Sequence, residues 1–484
     1  MAEAATRERI DPALWRTAFV LVLGTFMATL DATIVSVGIR ELIADFDASV
    51  TEIQWVTTAY LLAVVTAVPA SGWLAGRFGG RRTWLAAVAL FLLGSALCAL
   101  AWSATSLIAF RVLQGLGGGL LPPTGQALLA RAAGPGRIGR VISVVGVVPL
   151  LSPVLGPLIG GSILGVADWP WLFYVNLPIG IVALALAPRC VPADPPPTRR
   201  EPFDFVGAAL LSPGIAVLVF GLGEVGASTM PIGVALGAAV LGVGMLAGFG
   251  WHGLRTDRTP LLDPHLFARP PLGAAALALV VLGASVFGTM FLLPLYLQEG
   301  RGLSAWEAGL LLAPQGIGAA AGSLVVNRLI DRLATRTLVL TGIALITIGT
   351  APLTNLAVLG TDALLGSALL VRGVGIAMIS APVMSAVYRR MRPPELPGAS
   401  CALNMINTVG GSVGTALLAV VLQSRLAERE VLGAVGVPVA FADTFWWVLG
   451  CCLVAVLGAA LLPGAAKPDS AATPEPDAAA SHVR

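Results

Sequence analysis

Asp31, Arg111 and Arg372 carry charge inside long apolar runs of the 484-residue sequence. A charge in a hydrocarbon layer persists only where it meets a partner or a polar cavity, so each marks a place where chemistry is possible. Asp31 is the one acidic residue well away from the end of any such run. It can carry a proton, or it can bond to Thr29, Thr33 or nearby backbone and merely fix helix packing. Arg111 favours the first use. At about 1.5 Å of rise per residue, Asp31 lies about 12 Å and Arg111 about 9 Å from the same end of the bundle, so the guanidinium has a carboxylate at its own depth. Satisfaction of Arg111 by backbone carbonyls is the other option.

Burial favours a neutral carboxyl and a neighbouring guanidinium favours an ionised one, and such opposed pulls leave a group switchable. A cargo molecule and a proton competing for Asp31 would be mutually exclusive occupants of one site, which is the least that an exchanger of the two requires. Arg372 lies about 16 Å into its own run. Recognition of an anionic group, pairing with Asp31 across a cavity and bonding to carbonyls are all open to it. Tyr60, Gln114, Gln126, Asn404 and Asn407 complete a short set of candidate cavity side chains, each of which could equally join helix to helix.

The elements that hold these residues follow from composition. Hydrophobic residues make up 57% of the chain and Asp, Glu, Lys and Arg only 11%, against about 25% charged residues in a soluble domain. With a mean hydropathy of +0.88, the chain has too little charge to cover a water-facing surface. Apolar runs fall at 17–38, 53–75, 83–101, 105–129, 139–163, 170–188, 205–223, 231–251, 271–297, 305–326, 337–355, 361–386, 399–423 and 442–463. They predict fourteen membrane-spanning helices and an all-α polytopic membrane protein.

The basic residues test that parity. With a cytoplasmic N-terminus, inner segments hold 23 of the 29 Lys and Arg and outer segments hold four, Arg40, Arg301, Arg425 and Arg429; Arg111 and Arg372 lie within spans. A bias of one sign at every inner loop is what the positive-inside rule demands, and it places both termini in the cytoplasm. Trp15, Trp102, Trp169, Trp171, Trp251, Trp446 and Trp447 near span ends read as interface anchors. Residues 1 to 16 run into an apolar stretch too long for a signal-peptide core, so the first helix is expected to stay.

An internal repeat divides the chain. Arg111 is followed by Pro122 in FRVLQGLGGGLLPPTGQALLAR, and Arg372 by Pro382 in VRGVGIAMISAPVMSAVYRR. The loop GWLAGRFGGRR from Gly72 has a looser echo in GSLVVNRLIDR from Gly322. The expected organisation is a six-helix bundle at 1–188, linkers with two inserted helices at 189–270, a second six-helix bundle at 271–463 and a disordered tail at 464–484. Between the halves, Gly146, Gly156, Gly160 and Gly161 with Pro153 and Pro157 make the fifth span a helix that can approach its neighbour closely and bend. That suits a gate, although small residues are also common in bacterial membrane helices.

Four blocks carry a resemblance: LDATIVSVGIR from Leu30, GWLAGRFGGRR from Gly72, RVLQGLGGGLLPP from Arg111 and GVVPLLSPVLGPLIGG from Gly146. In this order, and with this helix count, the chain resembles the fourteen-helix drug and proton antiporter branch of the major facilitator superfamily, the group of the EmrB and QacA type exporters. The resemblance implies a 6 + 2 + 6 helix arrangement, a part for Arg111 in proton relay, and an inner-face structural role for Gly72, Arg77, Gly79, Arg81 and Arg82. It departs from the pattern at Gly76, where an Asp is usual, and at Ser36 and Arg40, where Asn and Pro are usual.

The expected function is a proton-coupled antiporter that exports hydrophobic or cationic drugs and toxic small molecules from the cytoplasm by alternating access. A dedicated exporter of one endogenous metabolite, antibiotic or siderophore is the alternative. Its expected partners are the cargo, protons and membrane lipids, with a periplasmic adaptor in a Gram-negative host, and it is expected to act as a monomer in the cytoplasmic membrane without a cofactor, driven by the proton motive force. Several classes are excluded. No basic stripe fits nucleic acid. GLGGGL from Gly115 lacks the strand and the Lys of a phosphate loop, which excludes an ATP-driven pump. The five Cys and the three His, His252, His265 and His482, have no metal-ligand spacing, and no cluster of acid-base residues suits a membrane enzyme.

Overall fold

The computed structural model describes residues 11–146, 148–194, 202–227, 230–256, 260–265, 270–356, 361–429 and 436–460. The tail expected at 464–484 and the middle of the first linker lie outside them. The N-terminal half holds α1 (Pro12–Ile34), α2 (Ile39–Phe46), α3 (Val50–Ala67), α4 (Ala70–Phe78), α5 (Gly80–Ala99), α6 (Ala104–Val145), α7 (Val148–Leu164), α8 (Trp171–Tyr174) and α9 (Asn176–Cys190). Next come α10 (Phe205–Ala227) and α11 (Ile232–Arg255), and then α12 (Pro270–Leu295), α13 (Ala305–Leu329), α14 (Thr335–Thr350), α15 (Asp362–Tyr388), α16 (Leu396–Arg429) and α17 (Gly436–Ala460).

Within the described residues, all fourteen predicted apolar runs fall on helix or the short turns beside it. Among the described residues, twelve helices are long and apolar enough to cross a membrane by themselves, and α3 with α4, bent by 54°, makes up to thirteen when the pair is counted as one span. The bend falls at Pro69, whose missing N–H and ring geometry interrupt a helical ladder. The remaining run, 139–163, is shared between the second arm of α6 and α7. The loop expected between the fourth and fifth runs is therefore a single break inside α6. Gly134 sits there at φ 68° and ψ 170°, a backbone region open in practice only to glycine, and Pro135 starts the next arm at a position that needs no N–H.

The same helix pairs touch in both halves: α5 with α6 and α14 with α15, α3 with α6 and α13 with α15, α1 with α7 and α12 with α16, α1 with α9 and α12 with α17. This is the packing signature of a duplicated unit. The halves meet where α6 and α7 touch α13, where α6 touches α15 and where α4 and α6 touch α16. The inserted helices α10 and α11 pack on each other, and α10 bridges the halves by touching α3 and α16. Asp204 anchors the insert by accepting from Gly207 N at 2.8 Å, Leu261 N at 3.2 Å and His252 Nε2 at 3.0 Å. Although burial alone would raise its pKa, these bonds hold the Asp204 carboxyl below the usual carboxylate range.

Gly134→Ala should cost about 1–3 kcal/mol, because a Cβ is strained at that backbone conformation whatever space surrounds it. Gly136→Ala, on the helical arm two residues on, should be neutral or slightly stabilising. Thermal unfolding of the two purified variants checks this; equal midpoints would mean that Gly134 is not a required hinge.

Candidate functional site

Close packing of three helices builds the site. In α6, a Cβ on Gly115 would come within 2.5 Å of Tyr60 O, and one on Gly117 within 2.6 Å of Phe91 N. The glycine run therefore lets α3 and α5 lie directly against α6, as small residues do in membrane bundles. That approach lays the Tyr60 ring against Arg111, whose guanidinium carbon is 3.9 Å from the ring centre. Phe173 stands on another side, 5.8 Å away.

Asp31 and Arg111 form an ion pair through Oδ2 and Nη1, with both side chains fully buried. The pair sits in a cage. Gln114 Nε2 and Asn176 Nδ2 each donate to Asp31 Oδ1 at 2.9 Å. Arg111 also donates to Gln114 Oε1 at 2.8 Å and, from Nε, to Val56 O at 3.1 Å. Asn176 continues to Ser95 Oγ at 3.1 Å. Thr29 and Thr33 take no part: their hydroxyls donate to Thr25 O and Leu30 O at 2.9 Å. Arg111 Nη2 and Asn176 Oδ1 are buried without a hydrogen-bond partner among the described residues.

Arg372 is also fully buried but has no acid beside it. Its Nη2 donates to Ser285 O and Thr289 Oγ1, both at 2.7 Å, its Nη1 to Gln315 Oε1 at 3.1 Å and its Nε to Thr350 Oγ1 at 3.2 Å. Arg372 does not pair with Asp31 in this structure, where the carboxylate is held within the N-terminal half.

A cavity of about 320 Å³ lies between the halves, towards the end of the bundle that carries Arg40 and Arg301. Ala32 and Thr33 of α1, Ser36 just beyond its end and Pro157 of α7 face Thr289 and Gln315 across it. Several expected cavity residues are elsewhere. Tyr60 and Gln114 belong to the cage inside the N-terminal half, and Tyr60 donates to Ala28 O at 2.8 Å. Gln126 and Asn404 bond each other at 2.8 Å and close the opposite, arginine-rich end. Arg372 lies behind Thr289 and Gln315, and Asn407 on α16 is not part of the wall. These displacements share a cause: helical depth was readable from sequence, but rotation about each helix axis was not.

At the arginine-rich end the halves are locked. Ser400 Oγ donates to Pro123 O at 2.7 Å, Tyr388 bonds Gln126 at 3.3 Å, and Arg140 meets Asp331 at 3.1 Å while Arg389 meets the same carboxylate at 2.7 Å. The loop motif serves this end. Gly72 of α4 packs against Pro397 and Gly398 of α16. Gly79, at φ 94°, leaves room for the Asp194 carboxylate, which a Cβ would strike. Asp194 accepts from Arg81 N at 3.0 Å and Arg82 N at 3.3 Å, and pairs with Arg131 at 3.2 Å. Sequence reading missed Asp194; its one signal is an acid in an otherwise Pro-rich linker. Arg77 is half-buried, and a Cβ on Gly76 would meet nothing within 4 Å. In α7, a Cβ on Gly156 would strike Thr33 and one on Gly160 would lie 3.0 Å from Ile34, so both seat α7 on α1. Gly161 faces open space and Gly146 ends α6. Pro153 is on α7.

A profile of the Major Facilitator Superfamily matches residues 21–415. The chain belongs to that superfamily. It is 39% identical over 428 residues to a "Multidrug resistance protein B homolog" of Mycobacterium tuberculosis, covering 88% of this chain and 79% of that protein. It is 29% identical over 464 residues to a "Putative multidrug resistance protein MdtD" of Serratia proteamaculans, covering 95% and 94%. Among solved structures it is similar to the proton:xylose symporter XylE, with a TM-score of 0.63 and 14% identity over 92% of this chain and 94% of that one. This superfamily fold and the many apolar helices make it a multi-pass membrane protein.

Removing one member of a buried ion pair strands the other charge and typically costs about 3–5 kcal/mol. Asp31→Asn and Arg111→Gln should each lower stability by that order, and the double variant should lose less than either single one. Thermal unfolding of the four purified proteins tests it; additive losses would show that the pair is not energetically coupled.

Proposed function

We propose that the protein is a proton-coupled secondary antiporter that exports hydrophobic small molecules, drugs and toxic compounds among them, from the cytoplasm. One observation carries the reading: Asp31, the one buried carboxylate among the described residues, is caged on α1, whose adjacent residues Ala32 and Thr33 line the cavity. Proton and cargo then act on opposite flanks of one helix. The names of the relatives support drug export, and the positive-inside bias supports cytoplasmic termini.

In this mechanism the ionised Asp31 is held by Arg111, Gln114 and Asn176. A proton on Asp31 removes the charge that draws Arg111 in, and the cage loosens. Because Gly156 and Gly160 seat α7 on α1, a shift of α1 carries α7 with it and moves the wall that Pro157 contributes. The structure is closed at the arginine-rich end, so under this reading it faces outward. Return to the inward state requires parting Arg140 from Asp331 and Gln126 from Asn404. A carboxylate that competes directly for cargo, as the sequence suggested, is replaced here by coupling through the helix, since Asp31 is not on the cavity wall.

Proteoliposomes provide the test. With Asp31→Asn, transport driven by an imposed pH gradient should vanish while downhill exchange of cargo persists. Gradient-driven transport by the variant would reject Asp31 as the carrier. Reporter fusions at Arg200 and Glu430 should report opposite sides of the membrane; the same side for both would overturn the proposed topology.

A further inference from the structure

Charge is unequally distributed between the two halves. Asp31, Arg111 and Arg372 are the buried charged residues among the described ones. The first two cancel, and the partners of the third are all neutral. Among the described residues the interior therefore holds one uncompensated positive charge, and it lies directly behind the cavity.

Arg372 is connected to that cavity by its own hydrogen bonds. Thr289 and Gln315 both accept from the guanidinium and both line the cavity. Accepting fixes how each presents itself on its other side. Gln315 Oε1 is turned to Arg372, which leaves the Nε2 hydrogens for the cavity. Thr289 Oγ1 accepts from the guanidinium with one lone pair, and its O–H remains free to donate. Gln315, which could have served either polarity, is thus set as a donor beside the Thr289 hydroxyl, with a buried cation behind both. No carboxylate is found on the described wall; its other polar side chains are Thr33, Ser36 and Gln298. A cationic cargo would meet a like charge and oriented donors.

The geometry points to an organic-anion subsite: the cavity takes amphipathic molecules with an apolar body and a carboxylate or similar oxyanion, held by Gln315, Thr289 and the field of Arg372. The apolar body would rest on Leu293, Met290 and Leu312. A cavity of about 320 Å³ is at the small end of the range for organic ligands. This inference names the cargo of the site in the export reading above, and it rests on that reading for how the cargo moves.

The experiment compares three probes with one apolar body, naphthylacetate, naphthylethanol and naphthylethylamine, binding to the purified full-length protein in lipid nanodiscs. A charge-assisted contact should make the carboxylate bind about ten- to a hundredfold tighter than the alcohol, with the amine weakest. Arg372→Gln should erase the preference of carboxylate over alcohol while the alcohol still binds, and Arg372→Lys should keep part of it. Gln315→Leu and Thr289→Val leave the guanidinium in place and should each weaken the preference, which keeps the test decisive if Arg372→Gln does not fold. An amine that binds as tightly as the carboxylate, or a carboxylate-to-alcohol ratio unchanged by these variants, overturns the inference. Transport of naphthylacetate into proteoliposomes reads the export proposal separately: preference without transport upholds the anion subsite and removes the exporter, and transport without preference removes the subsite.

Discussion

The ion pair between Asp31 and Arg111 constrains everything around it. Both charges are withdrawn from water, and neither can stay there without the other. The polar neighbours in the cage divide the work of holding them. Gln114 bridges carboxylate and guanidinium, Asn176 bonds the second carboxylate oxygen, and Tyr60 covers the guanidinium face. The glycines of α6 exist beside this cage because a side chain there would push α3 and α5 away and open it. Neutralising Asp31 would change the energy of all these contacts at once, which is the link that the proposed mechanism uses.

The duplicated unit was used twice with different chemistry. Arg111 and Arg372 hold matching positions in α6 and α15, and each bonds a glutamine, Gln114 in one half and Gln315 in the other. The helix that supplies Asp31 in the first half is α1, and its counterpart α12 supplies Ser285 and Thr289 instead. Among the described residues, one half thus holds a compensated pair, and the other a buried guanidinium with neutral partners. Under the proposed exchange that division is useful, because a proton site and a cargo site need not share a residue to be linked through the helices between them.

Sequence alone made the helices and their order legible, because long apolar runs and the arginine bias are one-dimensional properties. It also made the depth of Asp31 and Arg111 legible, since rise along a helix is constant. Rotation was not. Tyr60, Gln114 and Arg372 were expected to face a cavity, and the structure turns the first two into the cage and sets the third behind Thr289 and Gln315. Nor could sequence locate long-range caps: Asp194 reaches Arg81 and Arg131 from a linker more than 60 residues from either. Gly134 shows the converse case, where a glycine and proline read as a loop prove to be a single-residue break in continuous helix.

The account turns on whether cargo and proton are linked through Asp31, and proton release on cargo binding measures that link directly. Naphthylethanol has no group that titrates near neutrality, so protons that appear in a weakly buffered solution when it binds come from the protein. Across a range of pH, the wild-type protein should release protons on binding and Asp31→Asn should release none while still binding. Equal release from the variant, or none from the wild type at any pH, would contradict the account.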